Sequence, residues 1–478
     1  MTILAIDQGT TSTRALAVGT GGDASIASVT RHRQLYPKPG WVEHDPAELV
    51  RNLQTSLDAV EGVAVVGIDN QGESCLAWHA DTREPVTNVI VWQDNRTGSA
   101  VEQLKRDGAE TEVMERCGLP LDSYFSASKL AWIVDHVPEA RGLLKQGKLR
   151  LGTTDAFFLD RLAGACSTDI TTASRTSLMN LATGQWDGEL CRLFGVPMEA
   201  LPEIVPTTGH LGEVASRGRA VPVTASVVDQ QASLYGHGCR RAGDAKITFG
   251  TGAFALLVTG DRALRSPDQG LLPTVAWQHA GGTPEYALDG GVYCAGSAVE
   301  WAHGLGLFGD HAALNSFARP AAVDRDLLFV PALSGLACPH WDRRAAGLWI
   351  GLSLDTDRLD MMQSLLEGVA FRAAEVIRAM SRLTGIGDEI SVDGGMSVNP
   401  YFCQFLADVL GKSVAVKSFP EITAIGTAQL AGAGNIRRGD GEAPVQRYLP
   451  GTDREGQLAR FSEAVSRSRQ WRDSPAGD

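Results

Sequence analysis

Two apolar arms flanking a short polar turn occur twice in this chain. The first pair of arms is 3–6 and 15–18, around Asp7-Gln8-Gly9-Thr10-Thr11-Ser12-Thr13-Arg14. The second is 245–249 and 253–258, around Gly250-Thr251-Gly252. Each pattern predicts a β-hairpin. Their recurrence predicts a structural repeat, with two similar domains turning their hairpins toward a shared cleft. Run 25–30 predicts a third strand beside the first hairpin. Continuous apolar runs at 63–68 and 88–92 read as buried strands. They deliver Asn70-Gln71-Gly72-Glu73 and Gln93-Asp94-Asn95-Arg96 at their ends, where open α/β sheets bind ligands. Run 220–228 ends likewise on Asp229-Gln230-Gln231, before a helix to about residue 235.

Punctuation fills in the rest. Segment 34–45 holds two prolines and a glycine and is read as loop. Asp45-Pro46 then caps a helix to about residue 60. Segment 168–176 is a polar, small-residue loop for which a solvated surface weighs as much as a functional role. A hinge at 236–244 divides the chain into domains 1–238 and 239–478. The second domain should carry strands at 286–292, 327–332 and 390–392, with a helix from Gly296. A long amphipathic helix spans 359–383, helices follow at 401–410 and 423–433, and the polar tail from about 466 should fray.

Composition narrows the partners. The 478 residues are 44% hydrophobic and 21% charged, as in globular proteins. Their 43 Lys+Arg against 56 Asp+Glu leave a net charge of −13. That disfavours nucleic acid and acidic membranes, so an anionic ligand needs a locally positive site, backbone N–H groups or a metal. Eight scattered cysteines without a CxxC pair read as reduced thiols of a cytoplasmic protein. No leader pattern is read at Met1-Thr2, and no run approaches the ~18 apolar residues of a membrane span.

The first turn suits phosphate. Gly9 permits a tight approach, the Thr10, Thr11 and Thr13 hydroxyls can donate, and Arg14 offers a planar fork of donors. Asp7, ending the first strand, can hold a hydrated Mg²⁺. Three Gly/Thr-rich elements at strand ends, 7–14, 248–252 and 393–399, suggest a nucleotide held across the cleft. Neither a P-loop nor a Rossmann fingerprint is present.

These motifs resemble the FGGY carbohydrate kinases, most closely the glycerol kinase subgroup. The likeness covers most of the chain. It is carried by 7–14, by Tyr36-Pro37-Lys38-Pro39-Gly40-Trp41-Val42-Glu43-His44-Asp45-Pro46, by 90–93 and 123–126, and by Asp229-Gln230-Gln231, Phe249-Gly250-Thr251-Gly252 and Asp393-Gly394-Gly395. The resemblance implies an α/β fold of two ribonuclease-H-like, actin/Hsp70-like domains around a nucleotide-binding cleft. It implies ATP and Mg²⁺, and a small polyol as acceptor. Asp229 would be the catalytic base and Asp7 the metal-linked carboxylate. Thr10, Thr11 and Arg14 would line the transferred phosphoryl group. Thr251, Gly296, Gly395 and Asn399 would bind the nucleotide. Glu73, Trp92, Tyr124, Asp229, Gln230 and Phe254 would form the polyol pocket. A homodimer or homotetramer is the expected assembly.

One position departs from the pattern. Gly72 stands where the subgroup has an arginine that contacts glycerol hydroxyls. Its loss removes charge-assisted hydrogen bonds worth on the order of 1.5–3 kcal/mol, which points to a polyol larger than glycerol; another basic side chain filling the gap weighs equally. A xylulokinase-like ketose kinase is the alternative within the fold. An Hsp70- or actin-like ATP clamp is the alternative outside it, although it gives Trp92, Tyr124 and Phe254 no purpose.

Overall fold

The computed structural model describes residues 2–417, 421–432 and 445–472. Two sheets of like plan form its core. In the first, Thr2–Gln8 and Ser12–Gly19 make an antiparallel hairpin, and Ala24–Arg31 extends it outward. Val63–Asn70 runs parallel to Thr2–Gln8, and Arg219–Val228 runs parallel to Val63–Asn70. In the second, Ala245–Phe249 and Ala253–Gly260 make the hairpin. Glu389–Gly394 runs parallel to Ala245–Phe249, with Ser413–Lys417 parallel beyond it. This is the two-domain α/β plan of actin-like ATPases.

The opening strand is apolar throughout because both its faces are covered. Leu4 and Ile6 pack among Leu49, Leu53 and Leu57 of the helix Pro46–Leu57. Ile3 and Ala5 meet Ala424 and Ala428 of the helix Ile422–Ala431. That late helix therefore packs under the first sheet, beside the helix Asp229–Gly236. The two backbones nearly touch. A Cβ on Gly426 would lie 1.8 Å from Ala232 O, and one on Gly236 would lie 2.1 Å from Ile422 O. Gly426→Ala should destabilise the protein by about 1–3 kcal/mol or more through overpacking; an unchanged thermal midpoint would refute that fit.

Several elements depart from the sequence reading. Run 88–92 contributes only Val89–Ile90, which pairs in a separate four-stranded sheet with Glu43–His44 and Cys75–His79. It does not end an open parallel sheet, because a short apolar run cannot declare its pairing partner. Segment 34–45 is therefore not all loop. Segment 168–176 is not a solvated loop. It forms the end of Ser167–Asp169 and the short helix Ile170–Ala173, and Asp169, Thr171, Thr172 and Arg175 are buried. Strands Cys75–His79 and Leu272–Trp277 were not expected. Near the end, the helix Glu455–Ser468 carries order past residue 466, with Ser468 buried. Ala433, the expected end of the 423–433 helix, lies outside the described residues. Among those residues, no helix is long and apolar enough to cross a membrane.

Candidate active site

Strand order gathers three carboxylates. Thr2–Gln8, Val63–Asn70 and Arg219–Val228 are parallel neighbours. Asp7 and Asp69 are register partners near their carboxyl ends, and Asp229 is the first residue after the third strand. Removal from water raises the pKa of Asp7, while a hydrogen bond with Asp69 and the charge of Arg14 act against the rise. Asp69 is pushed well up, by burial first and by the charge of Asp7 second. Thr427 Oγ1 donates to Asp69 Oδ2 at 2.6 Å. Asp229 is raised to about 7, by burial first and then by the charges of Asp7 and Glu73. The backbone N–H of Gln230 donates to Asp229 Oδ1 at 2.6 Å, and Lys246 Nζ donates to the Gln230 side chain at 2.7 Å.

The hairpin turn borders this cluster. Gly9 N donates to Ser12 O at 3.0 Å, closing the turn. Trp92 Nε1 donates to Thr10 Oγ1 at 3.1 Å, joining the turn to an aromatic wall. Arg14 is engaged by Glu421 across 3.2 Å. Its side chain is 43% exposed, so this pair is worth little and an arriving anion can exchange with it.

The aromatic wall belongs to a cavity of about 300 Å³ between the halves. Trp92 and Tyr124 face it from the first half and Phe254 from the second; Trp92 and Tyr124 meet edge to face at 5.6 Å. Glu73, Asp229 and Gln230 are not among its lining residues. Instead Arg175, which does line it, donates to Glu73 Oε1 at 2.6 Å and pairs with Asp289 at 3.0 Å. Sequence reading gave Glu73 a place in the pocket but assigned no role to Arg175 or Asp289. Glu73 sits at φ +61°, a left-handed conformation that costs a non-glycine residue on the order of 1–3 kcal/mol and is typical of functional sites. A side chain at Gly72 would start 3.1 Å from Val228 Cγ1. The guanidinium beside Glu73 thus comes from Arg175, within the segment whose polar composition resembled solvated loop.

A second cavity, of about 520 Å³, lies at the other hairpin. All four expected nucleotide residues, Thr251, Gly296, Gly395 and Asn399, line it. A Cβ on Gly296 would lie 2.5 Å from Gly250 O, so the helix Gly296–Gly304 can start directly against the turn. The Asn399 side chain caps the helix Pro400–Leu410 through Phe402 N and donates to Leu314 O at 2.9 Å. It shapes the wall, with one amide N–H and its oxygen engaged and a second N–H left over.

Carboxylates at strand ends, a glycine-lined cavity and an aromatic cavity between the two halves suit a phosphotransferase with an alcohol acceptor, and the comparisons with known proteins agree. The FGGY carbohydrate kinase N-terminal domain matches residues 2–236, and the C-terminal domain matches 245–434. The chain belongs to the FGGY family of carbohydrate kinases. It is 41% identical to a glycerol kinase of Alkalilimnicola ehrlichii, with 98% of each chain covered. It is 38% identical to one of Rhodopirellula baltica, covering 98% of this chain and 91% of that protein. Among solved structures, Plasmodium falciparum glycerol kinase with ADP superposes with a TM-score of 0.88 at 30% identity, covering 98% of both chains. A xylulose kinase from Rhodospirillum rubrum, at 24% identity and a TM-score of 0.83 over 98% of both chains, shares the fold.

Proposed function

We propose that this chain transfers the γ-phosphoryl group of ATP to a terminal hydroxyl of a small polyol, as its glycerol kinase relatives are named for doing. The observation that carries this reading is Asp229, a carboxylate at a strand end, raised to about 7 beside Asp7 and within electrostatic reach of Tyr124 in the aromatic cavity. Residues 1–238 supply the phosphate hairpin and share the lining of the polyol pocket with 239–478, which also supply the nucleotide cavity. The expected setting is the cytoplasm, as a homodimer or homotetramer.

Phosphoryl transfer asks for positioning and charge stabilisation more than covalent help. Trp92, Tyr124 and Phe254 pack the C–H faces of the acceptor. Asp229 orients its hydroxyl and accepts the proton as transfer proceeds. Thr10, Thr11 and Arg14 receive the phosphoryl oxygens, Arg14 exchanging Glu421 for them. Thr251, Gly296, Gly395 and Asn399 seat the nucleotide. A magnesium ion fits through retained waters. Among the described residues no three carboxylate, histidine or cysteine groups form a direct cage, but Asp7 and Asp69 stand as register partners near the ends of adjacent strands. Mg²⁺ commonly keeps several waters. Asp7, backed by Asp69, would hold such an ion, which when bound supplies charge neutralisation to the phosphates.

ADP release measured over a panel of polyols and ketoses tests the reading: turnover should rise many-fold with a polyol. Turnover indifferent to every polyol favours the ATP clamp, and preference for a ketose favours the xylulokinase-like alternative. The pH profile has a definite sign. A base must be deprotonated to act, so kcat/KM, which reports the free enzyme, should climb as pH rises through about 7 and level off above it. A flat profile from about pH 5.5 to 8 removes Asp229 from the base role.

A further inference from the structure

A fully buried lysine joins the strand of the second hairpin to the residue beside Asp229. Side chains alternate along Ala245–Phe249. Ala245, Ile247 and Phe249 enter the core of the second half, so Lys246 and Thr248 share the opposite face. Lys246 is 0% exposed. Its Nζ donates to Gln230 Oε1 at 2.7 Å and to Thr248 Oγ1 at 2.8 Å. Both acceptors are neutral. Burial pulls the lysine pKa down, and the charges of Asp393, Asp229 and Asp289 act against that. Burying an ammonium is costly even with hydrogen bonds to receive it, so what it holds there bears on function.

What it holds is the direction of an amide. An ammonium has three donors and no acceptor, so the atom of Gln230 that meets it must be the oxygen. The Gln230 NH2 group is thereby turned away from Lys246 and kept as a donor, on a residue that is only half-buried. The backbone N–H of the same residue donates to Asp229 Oδ1 at 2.6 Å. Gln230 is thus fixed at both ends, by Asp229 at its backbone and by Lys246 at its side chain. Without Lys246 the amide can turn over and present its oxygen instead. The pair of functions is complementary: a carboxylate accepts, an amide NH2 donates, and a hydroxyl group needs one of each. Thr248, the other acceptor, is the register partner of Asp393 and stands two residues before the turn that borders the nucleotide cavity.

We infer that Lys246 is a positioning residue, which locks the Gln230 amide so that its NH2 group donates to a hydroxyl of the acceptor beside Asp229. This rests on the polyol kinase reading above. Lys246 touches neither substrate; it acts on the acceptor through Gln230.

The test measures kcat and KM for ATP and for glycerol, erythritol and xylitol in Lys246→Met and Lys246→Arg, each with and without Gln230→Met. Lys246→Met should raise KM for the acceptor by about tenfold or more, the scale of one hydrogen bond to a charged group, with kcat moved less. KM for ATP should stay within about twofold, as when binding of one substrate alone is lost. Lys246→Arg keeps a cation with donors and should recover part of the loss. In the Gln230→Met background neither change should move the acceptor KM further, because residues that act as one unit do not add. An unmoved acceptor KM in a folded Lys246 variant overturns the inference. So do effects that multiply in the double variants, or a KM for ATP that rises in step. If both Lys246 variants fail to fold, Gln230→Glu decides: it keeps an oxygen for Lys246 and deletes the amide donor. Its acceptor KM should rise, and one equal to wild type overturns the inference. ADP release that no polyol stimulates in the wild type fails the kinase reading itself and is a separate result.

Discussion

Asp229→Asn should lower kcat by roughly 10²–10⁴, the usual contribution of a positioned general base, with little change in KM for ATP. The asparagine is nearly isosteric, and its side-chain oxygen can still accept from Gln230 N, as Asp229 Oδ1 does at 2.6 Å. What disappears is the ability to take a proton. The substitution also removes a negative charge from beside Asp7 and Glu73, which crowd Asp229 in the wild type. Thermal stability should therefore hold or rise while turnover collapses. That opposition separates a catalytic loss from a folding loss, and a single-turnover measurement of ADP formation with saturating polyol reads it directly. A kcat within about tenfold of wild type would exclude Asp229 as the base.

The second large effect falls on stability. Arg175→Met should destabilise the protein by on the order of 3–5 kcal/mol, as when one partner of a buried ion pair is deleted. Methionine fills much of the volume but leaves Glu73 and Asp289 facing each other without a cation. Both already have pKa values raised by burial, with Arg175 the main influence in the other direction. An acid with a raised folded-state pKa contributes stability below its unfolded pKa and loses it as pH climbs through the folded value. Without Arg175 both values rise further, so the deficit should be greatest at about pH 8 and shrink toward about pH 5. Thermal melts of wild type and variant at both pH values check this. A deficit that does not grow with pH would show that lost packing, not stranded charge, is the cause.

The same residue marks the limit of what the sequence made legible. Both hairpins, the parallel strands beside them and the polar residues at their ends could be read, because unbroken apolar runs ending on Asp or Asn carry that information locally. Asp7, Asp229 and the glycine-rich turns followed. Arg175 did not. Its segment is rich in Thr, Ser and Asp, a composition shared by solvated loops, and it is buried because those groups bond one another: Asp169 accepts from Thr171, Thr172 and Thr207. The spacing of hydroxyl residues behind Asp169 was the available signal, and it becomes readable only once Thr207 is known to be adjacent. The strand Leu272–Trp277 was obscured by Pro273, which argues against a central strand; the strand lies at the edge of its sheet, where proline is tolerated. Val89–Ile90 and Cys75–His79 were obscured by brevity, since their pairing depends on segments far along the chain.

The contact of Gly236 with Gly426 bears on timing as well as packing. One helix of the joint begins with Asp229, and the other carries Thr427, which holds Asp69, and follows Glu421, which holds Arg14. Locked backbone to backbone, the pair acts as a jig that holds Asp229, Asp69 and the Arg14 end of the first hairpin in one alignment. In the function proposed above, closing of the cleft would then not need to assemble the reacting groups; it would have only to bring the phosphates to them and shut out water. Wasted hydrolysis of ATP becomes a gauge of how often the cleft shuts without an acceptor inside.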